Sequence, residues 1–135
     1  MNTYENLVPT LKEIFPEFTG IDGYIAENES LPYAFVADLL DHLRDEFKEG
    51  KIVSDDPKME KMFSLITELE SLPRAENKEI VPAGFFESML YGEPSDKFFI
   101  DAAKKYLNDD MWHLFRIVQT QHVGDAKDFI DTEAR

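Results

Sequence analysis

The sequence predicts an all-α fold, a single-domain irregular bundle or stack of about six amphipathic helices, and three observations predict it. Apolar residues recur at i, i+3/i+4 and i+7 nearly throughout the chain. Prolines, glycines and capping acids fall at the ends of those periodic stretches. The chain also has 135 residues, 43% hydrophobic and with eleven Phe, enough apolar surface to offset the entropy of ordering one domain.

Each element has its own signals. Leu7, Leu11, Ile14 and Phe15 share one side of a short helix that Pro16 stops, because the residue before a proline is pushed out of the helical region. Pro9 fits its first turn or a kink. Residues 20–30, with Gly20, Gly23 and mixed polar side chains, read as a loop holding at most one turn. Pro32 then suits the first position of the clearest helix, where its missing N–H costs little. Phe35, Val36, Leu39, Leu40, Leu43 and Phe47 form the apolar stripe of that helix, and Gly50 is placed to end it in a left-handed cap. Its opposite face carries Asp38, Asp41, Asp45, Glu46 and Glu49, with Arg44 and Lys48 as the only counter-charges.

Asp55-Asp56-Pro57 is an N-cap followed by a first-position proline. Met59, Met62, Phe63, Ile66 and Leu69 continue that helix until Pro73. Residues 74–78 are polar and read as a loop before a fourth helix from about Glu79 to Tyr91, with Pro82 in its first turn or at a bend and Gly92 as terminator. Ser95 is a candidate N-cap for a fifth helix through Phe98, Phe99, Ala102, Ala103, Tyr106 and Leu107, ended by Asn108. Asp109 or Asp110 starts a sixth through Met111, Leu114, Phe115 and Val118, although residues 112–118 also hold strand-forming types. The tail from about residue 123 has few large apolar residues besides Phe129 and Ile130, and is expected to be loosely held. The expected core includes Phe35, Leu39, Leu43, Phe63, Ile66, Phe85, Phe98, Phe99 and Phe115.

Charge is the most unusual bulk property: 28 acidic against 14 basic residues, a net of −14, with most of the excess in residues 1–70. Such a field repels nucleic acid and anionic membrane and attracts basic partners. It also confers solubility without further meaning. The chain has no Cys, which excludes disulfides, thiolate zinc sites and thiol nucleophiles and fits a reducing compartment. Residues 1–6 have neither a basic n-region nor an apolar h-region, and no apolar run approaches the ~18 residues that span a bilayer. These features predict a cytoplasmic protein.

No catalytic or cofactor motif stands out. Asp38, His42 and Asp45 or Glu46 lie at helical spacing that can surround a metal. Bundle metal sites, however, draw ligands from several helices through motifs such as Glu-x-x-His, and this sequence has none. A solvated acidic face with a surface His is the simpler expectation, so no metal or cofactor is expected. His113 and His122 show no partner for acid–base chemistry in the sequence. Asp22-Gly23 lacks the further oxygen ligands of a calcium loop. Adjacent Phe85 and Phe86 face about 100° apart on a helix. They imply either a central helix contacted on two sides or an exposed aromatic anchor made by Phe86 with Tyr91.

The stretch Ile80-Val81-Pro82-Ala83-Gly84-Phe85-Phe86-Glu87-Ser88-Met89-Leu90 resembles a hydrophobic-Gly-Phe-(Phe/Leu)-Glu-x-Leu segment in a family of small acidic bacterial proteins of unknown function. Ile14-Phe15-Pro16-Glu17-Phe18 is similar to the end of an early helix in that family, and the resemblance covers roughly residues 5–118. It implies an all-helical bacterial protein; some members look like toxin-immunity proteins, and no catalytic residues come with it.

Together these readings predict a non-catalytic acidic protein that binds another protein, an immunity protein against a basic toxin being the specific form. The expected contact residues are Asp38, Asp41, Asp45, Glu46, Glu49, Phe86 and Tyr91. An intracellular scaffold or regulatory adaptor is the alternative, and a metal-binding helical protein a second one.

Overall fold

A computed structural model describes residues 3–90 and 97–123. Every regular element among them is helical. A 3₁₀ turn at Tyr4–Asn6 leads into α1, Leu7–Ile14, and further 3₁₀ turns follow at Pro16–Gly20 and Ala26–Ser30. The long α2, Pro32–Lys48, precedes α3, Pro57–Ser71. Then α4, Ala75–Ile80, runs without a break through a π-helical stretch, Val81–Phe86, into α5, Glu87–Leu90. Phe98–Tyr106 forms α6 and Asp109–Val123 forms α7, so residues 109–123 are helix and not strand. No described helix is long and apolar enough to cross a membrane.

The ends of α2 and α3 follow from local chemistry. Gly50 takes φ +76°, which lets its own N–H donate to the Phe47 carbonyl at 3.0 Å and the Lys51 N–H to the Glu46 carbonyl at 2.8 Å. These paired bonds satisfy carbonyls that the end of α2 would otherwise leave open. Asp56 caps α3 by accepting the Lys58 N–H at 2.8 Å, with Pro57 in the first helical position. Asn108, expected to end α6, lies past its C-cap Leu107. It caps α7, its side-chain oxygen accepting the Met111 N–H at 2.9 Å.

Residues 74–78 are a correction: α4 already begins at Ala75. This turn is polar but anchored. Buried Asn77 accepts the Tyr4 N–H at 2.6 Å, and Arg74 pairs with Glu5 at 2.7 Å and with Glu76. Pro82 therefore lies inside a helical run. The Val81 N–H donates to the Lys78 carbonyl, the acceptor that the N–H missing at Pro82 would have used. The helix then widens, and the Glu87 N–H reaches back five residues to the Pro82 carbonyl. Ser95 and Gly92, expected to cap and to terminate, and the tail beyond residue 123 lie outside the described residues.

One apolar cluster joins the elements. All nine expected core residues are at most 1% exposed. Phe86 meets Phe115 edge-on at 5.1 Å, which locks the π-helical stretch against α7, and Trp112 stacks on Phe115 at 5.6 Å. Phe47, at the end of the α2 stripe, departs from it: it remains 38% exposed and stacks on Phe98 at 4.7 Å.

Candidate functional site

The helical period of α2 separates two jobs. Phe35, Val36, Leu39, Leu40 and Leu43 are buried, while Asp38, Asp41, His42 and Asp45 lie towards the opposite side. Against that side packs the segment from Pro16 to Ser30. It lacks helical periodicity, and aromatic and hydrogen-bonded contacts hold it in place. Phe18 is buried edge-on to Phe35 at 5.4 Å and to Tyr24 at 5.2 Å, and tilts against the His42 ring at 5.4 Å. Asn28 donates its side-chain N–H to Asp38 Oδ2 at 2.6 Å. Glu29 accepts from Tyr24 Oη at 2.5 Å and from Lys12 Nζ at 2.8 Å, which ties the segment to α1 as well.

Between this segment and α2 lies an open cleft of about 220 Å³. Buried Phe18 and Phe35 form its floor, half-buried Tyr24 supplies aromatic surface, half-exposed Ile25 an apolar edge, and Asp38, Asp41 and Asp45 the carboxylates. Desolvation, and then the hydrogen bond and charge of Glu29, push the Tyr24 phenol up to about 12, so it stays a neutral donor at physiological pH. Lys12 and then Tyr24 hold Glu29 below the usual carboxylate value.

The five acids of the predicted surface do not form one patch. Asp38, Asp41 and Asp45 line the cleft. Glu46 turns to the other side of His42, 3.4 Å from its Nε2, and lines a second depression with Glu17, Lys51 and Lys58. There Lys58 pairs with Glu17 at 3.0 Å, and its hydrogen bond is the main reason that the Glu17 carboxyl lies below its usual value. Glu49 sits beyond the helix end and pairs with Lys51 at 3.0 Å. Among the described residues, no three His, Asp or Glu side chains converge as a metal would require.

Two predicted features are corrected. Phe86 is fully buried and cannot serve as a surface anchor, because its ring is consumed by packing between the π-helical stretch and α7. Tyr91 lies outside the described residues. Arg44 is also no solvated counter-charge on the outer face: it is 8% exposed, its guanidinium lying 5.3 Å from the Phe99 ring centre and donating to the Ser88 and Met89 carbonyls. Its Nη1 reaches back to Asp41 at 2.8 Å.

Phe18, Tyr24 and Asn28 belong to the cleft but have no periodic signal in the sequence. The clue available is two aromatics, with Ile21 and Ile25, placed in a glycine-containing loop. A larger open groove of about 640 Å³ runs along α7 past Trp112, exposed His113 and Ile117. Its described lining carries both an acid, Asp109, and a base, Arg116, so it has no single charge preference. The chain matches no family model, no curated protein and no solved structure.

Proposed function

We propose that this chain is a non-catalytic binding protein for a basic protein partner, and that it engages this partner through the outer face of α2 and the adjoining cleft. The observation that carries the reading is that Arg44, although paired with Asp41 through Nη1, turns its Nη2 inward to the Ser88 and Met89 carbonyls. With most of that cation buried against Phe99 and these carbonyls, Asp45 stands exposed, Asp38 lines the cleft beside Tyr24, and Asp41 keeps a 72% exposed side chain. A carboxylate face on a rigid helix complements a cationic cleft and raises the association rate by long-range attraction. The specific form is a cytoplasmic immunity protein that neutralises a basic bacterial toxin; the resemblance at residues 80–90 supports that form.

The scaffold or adaptor reading has one observation in its favour. Phe47, stacked on Phe98, and Val53, 55% exposed, leave apolar surface outside the acidic face. Affinity capture from a bacterial lysate separates the two. The proposed reading expects a basic protein whose capture weakens when Asp41 and Asp45 are both changed to Lys, with the loss greatest at low salt because screening acts over ~8–10 Å at ordinary ionic strength. Capture of a partner that is indifferent to both charge and salt would refute it and favour the adaptor.

A further inference from the structure

We infer that the cleft between α2 and the Pro16–Ser30 segment receives one arginine side chain presented by the basic partner. The inference rests on the proposed function and names the group that its surface reads. Size argues first. About 220 Å³ falls below the ~300–1,000 Å³ of ordinary small-molecule pockets, and it suits one long side chain entering from a partner's surface.

The lining argues next. Five of the eleven cleft residues, Phe18, Ile21, Tyr24, Ile25 and Phe35, are apolar or aromatic, and the described lining holds three carboxylates and neither Lys nor Arg. An entering side chain must therefore combine an apolar stem with a cationic head. Tyr24, half-buried and backed by buried Phe18, offers ring surface to a weakly hydrated planar cation, which favours guanidinium over the compact, strongly hydrated ammonium of lysine.

The acceptors argue last. Asn28 occupies only Oδ2 of Asp38, and Arg44 only Oδ1 of Asp41. The Asp45 carboxylate is engaged by no described residue. Asp41 and Asp45 are one helical turn apart, roughly 5–6 Å between Cβ atoms. A guanidinium fork spans such a pair, donating to the free oxygen of Asp41 and to Asp45 while its stem lies along Tyr24 and Ile25. Among the described residues none bonds the Asp45 carboxylate, which is exposed, so its removal reports on the cleft.

The test is a nuclear magnetic resonance titration of the full chain with N-acetyl-arginine amide, N-acetyl-lysine amide and the neutral isostere N-acetyl-citrulline amide. Saturable shifts are expected at the Phe18 and Tyr24 rings and at the Asp41 and Asp45 amides, strongest for the arginine probe and lacking for citrulline. Asp45→Asn should weaken the arginine probe about tenfold, as loss of one charge-assisted hydrogen bond implies. Glu49→Gln removes the same charge outside the cleft and should change the affinity less than about twofold, since exposed distant charges are screened. Equal response to arginine and lysine probes, equal sensitivity to Asp45→Asn and Glu49→Gln, or no saturable shift at the cleft would each overturn the inference. If a basic protein is still captured through Asp41 and Asp45 in that event, the proposed function stands and only the arginine pocket falls. If the arginine probe binds as described but no basic protein is captured, the pocket stands and the proposed function falls.

Discussion

Arg44 donates from its Nη2 to the carbonyl oxygen of Ser88 at 2.9 Å, a hydrogen bond that spans 44 residues of sequence and joins α2 to α5. The same guanidinium reaches the Met89 carbonyl at 3.3 Å and lies over the Phe99 ring of α6. A buried guanidinium that donates to two carbonyls and lies over a ring makes charge-assisted hydrogen bonds that tie three helices together. Removing the donors strands buried acceptors. Arg44→Met should cost about 1–3 kcal/mol in denaturant unfolding. Arg44→Lys should recover less than half of it, because an ammonium lacks the planar fork that serves two carbonyls and a ring together. Full recovery by Lys would show that charge alone matters.

Gly84 sits inside the π-helical stretch for want of space. A methyl group there would come within 2.7 Å of Ile80 Cγ1 and 3.5 Å of Tyr33. Gly84→Ala should therefore destabilise by about 1–3 kcal/mol, despite the better helix propensity of Ala. The cost should shrink in an Ile80→Ala background, which removes the clashing atom, and a double-mutant cycle measures the difference. An unchanged cost would place the strain in the backbone instead of in the Ile80 contact.

The two phenylalanines at the ends of the burial range should separate cleanly. Phe86→Ala opens a cavity between the π-helical stretch and α7 and should cost about 3–5 kcal/mol. Phe47→Ala, exposed on one side and stacked on Phe98 on the other, should cost about 1–2 kcal/mol. Equilibrium unfolding of both variants checks the ranking, and a reversed order would mean that Phe86 is the surface ring.

Where packing follows a single period, the sequence was easy to read. Phe35, Leu39 and Leu43 recur at helical spacing and are all buried, and Asp56-Pro57 marks the start of α3 because cap and proline act within one turn. Interactions between segments distant in sequence left no such signal. The first turn of α4 looks like a loop because its residues are polar, yet Asn77 is buried by a bond to Tyr4, 73 residues away. Arg44 looks like an outer-face charge because helical spacing puts it beside Asp41 and Asp45, and only the fold shows the carbonyls that draw it inward. The cleft divides in the same way. Its carboxylates were legible on α2, whereas Phe18, Tyr24 and Asn28 come from a segment whose position is set by contacts and not by periodicity.

Stability should fall at both ends of the pH scale, with the segment before α2 responsible at each. On the acid side, Glu5 is held below its ordinary 4.5 chiefly by its own backbone N–H and then by Thr3 and Arg74, Glu17 chiefly by Lys58, and Glu29 chiefly by Lys12 and then Tyr24. A depressed folded value means that the unfolded chain takes up protons first. This contribution is therefore present above pH 4.5 and is lost as pH falls through the lower folded values. On the alkaline side the sign reverses. The folded chain holds the Tyr24 proton to about 12 against an ordinary 10.0, so that contribution is complete below pH 10.0 and disappears as pH rises towards 12. Phenolate absorbance of the wild type minus that of Tyr24→Phe isolates the group, because the other tyrosines cancel. A difference midpoint near 12 is expected. Glu29→Gln removes the charge that opposes ionisation of the phenol, and should move the midpoint down. A midpoint at the ordinary tyrosine value in the native protein would mean that Tyr24 is not held against Glu29, and that the segment lining the cleft is not fixed where its aromatic wall requires.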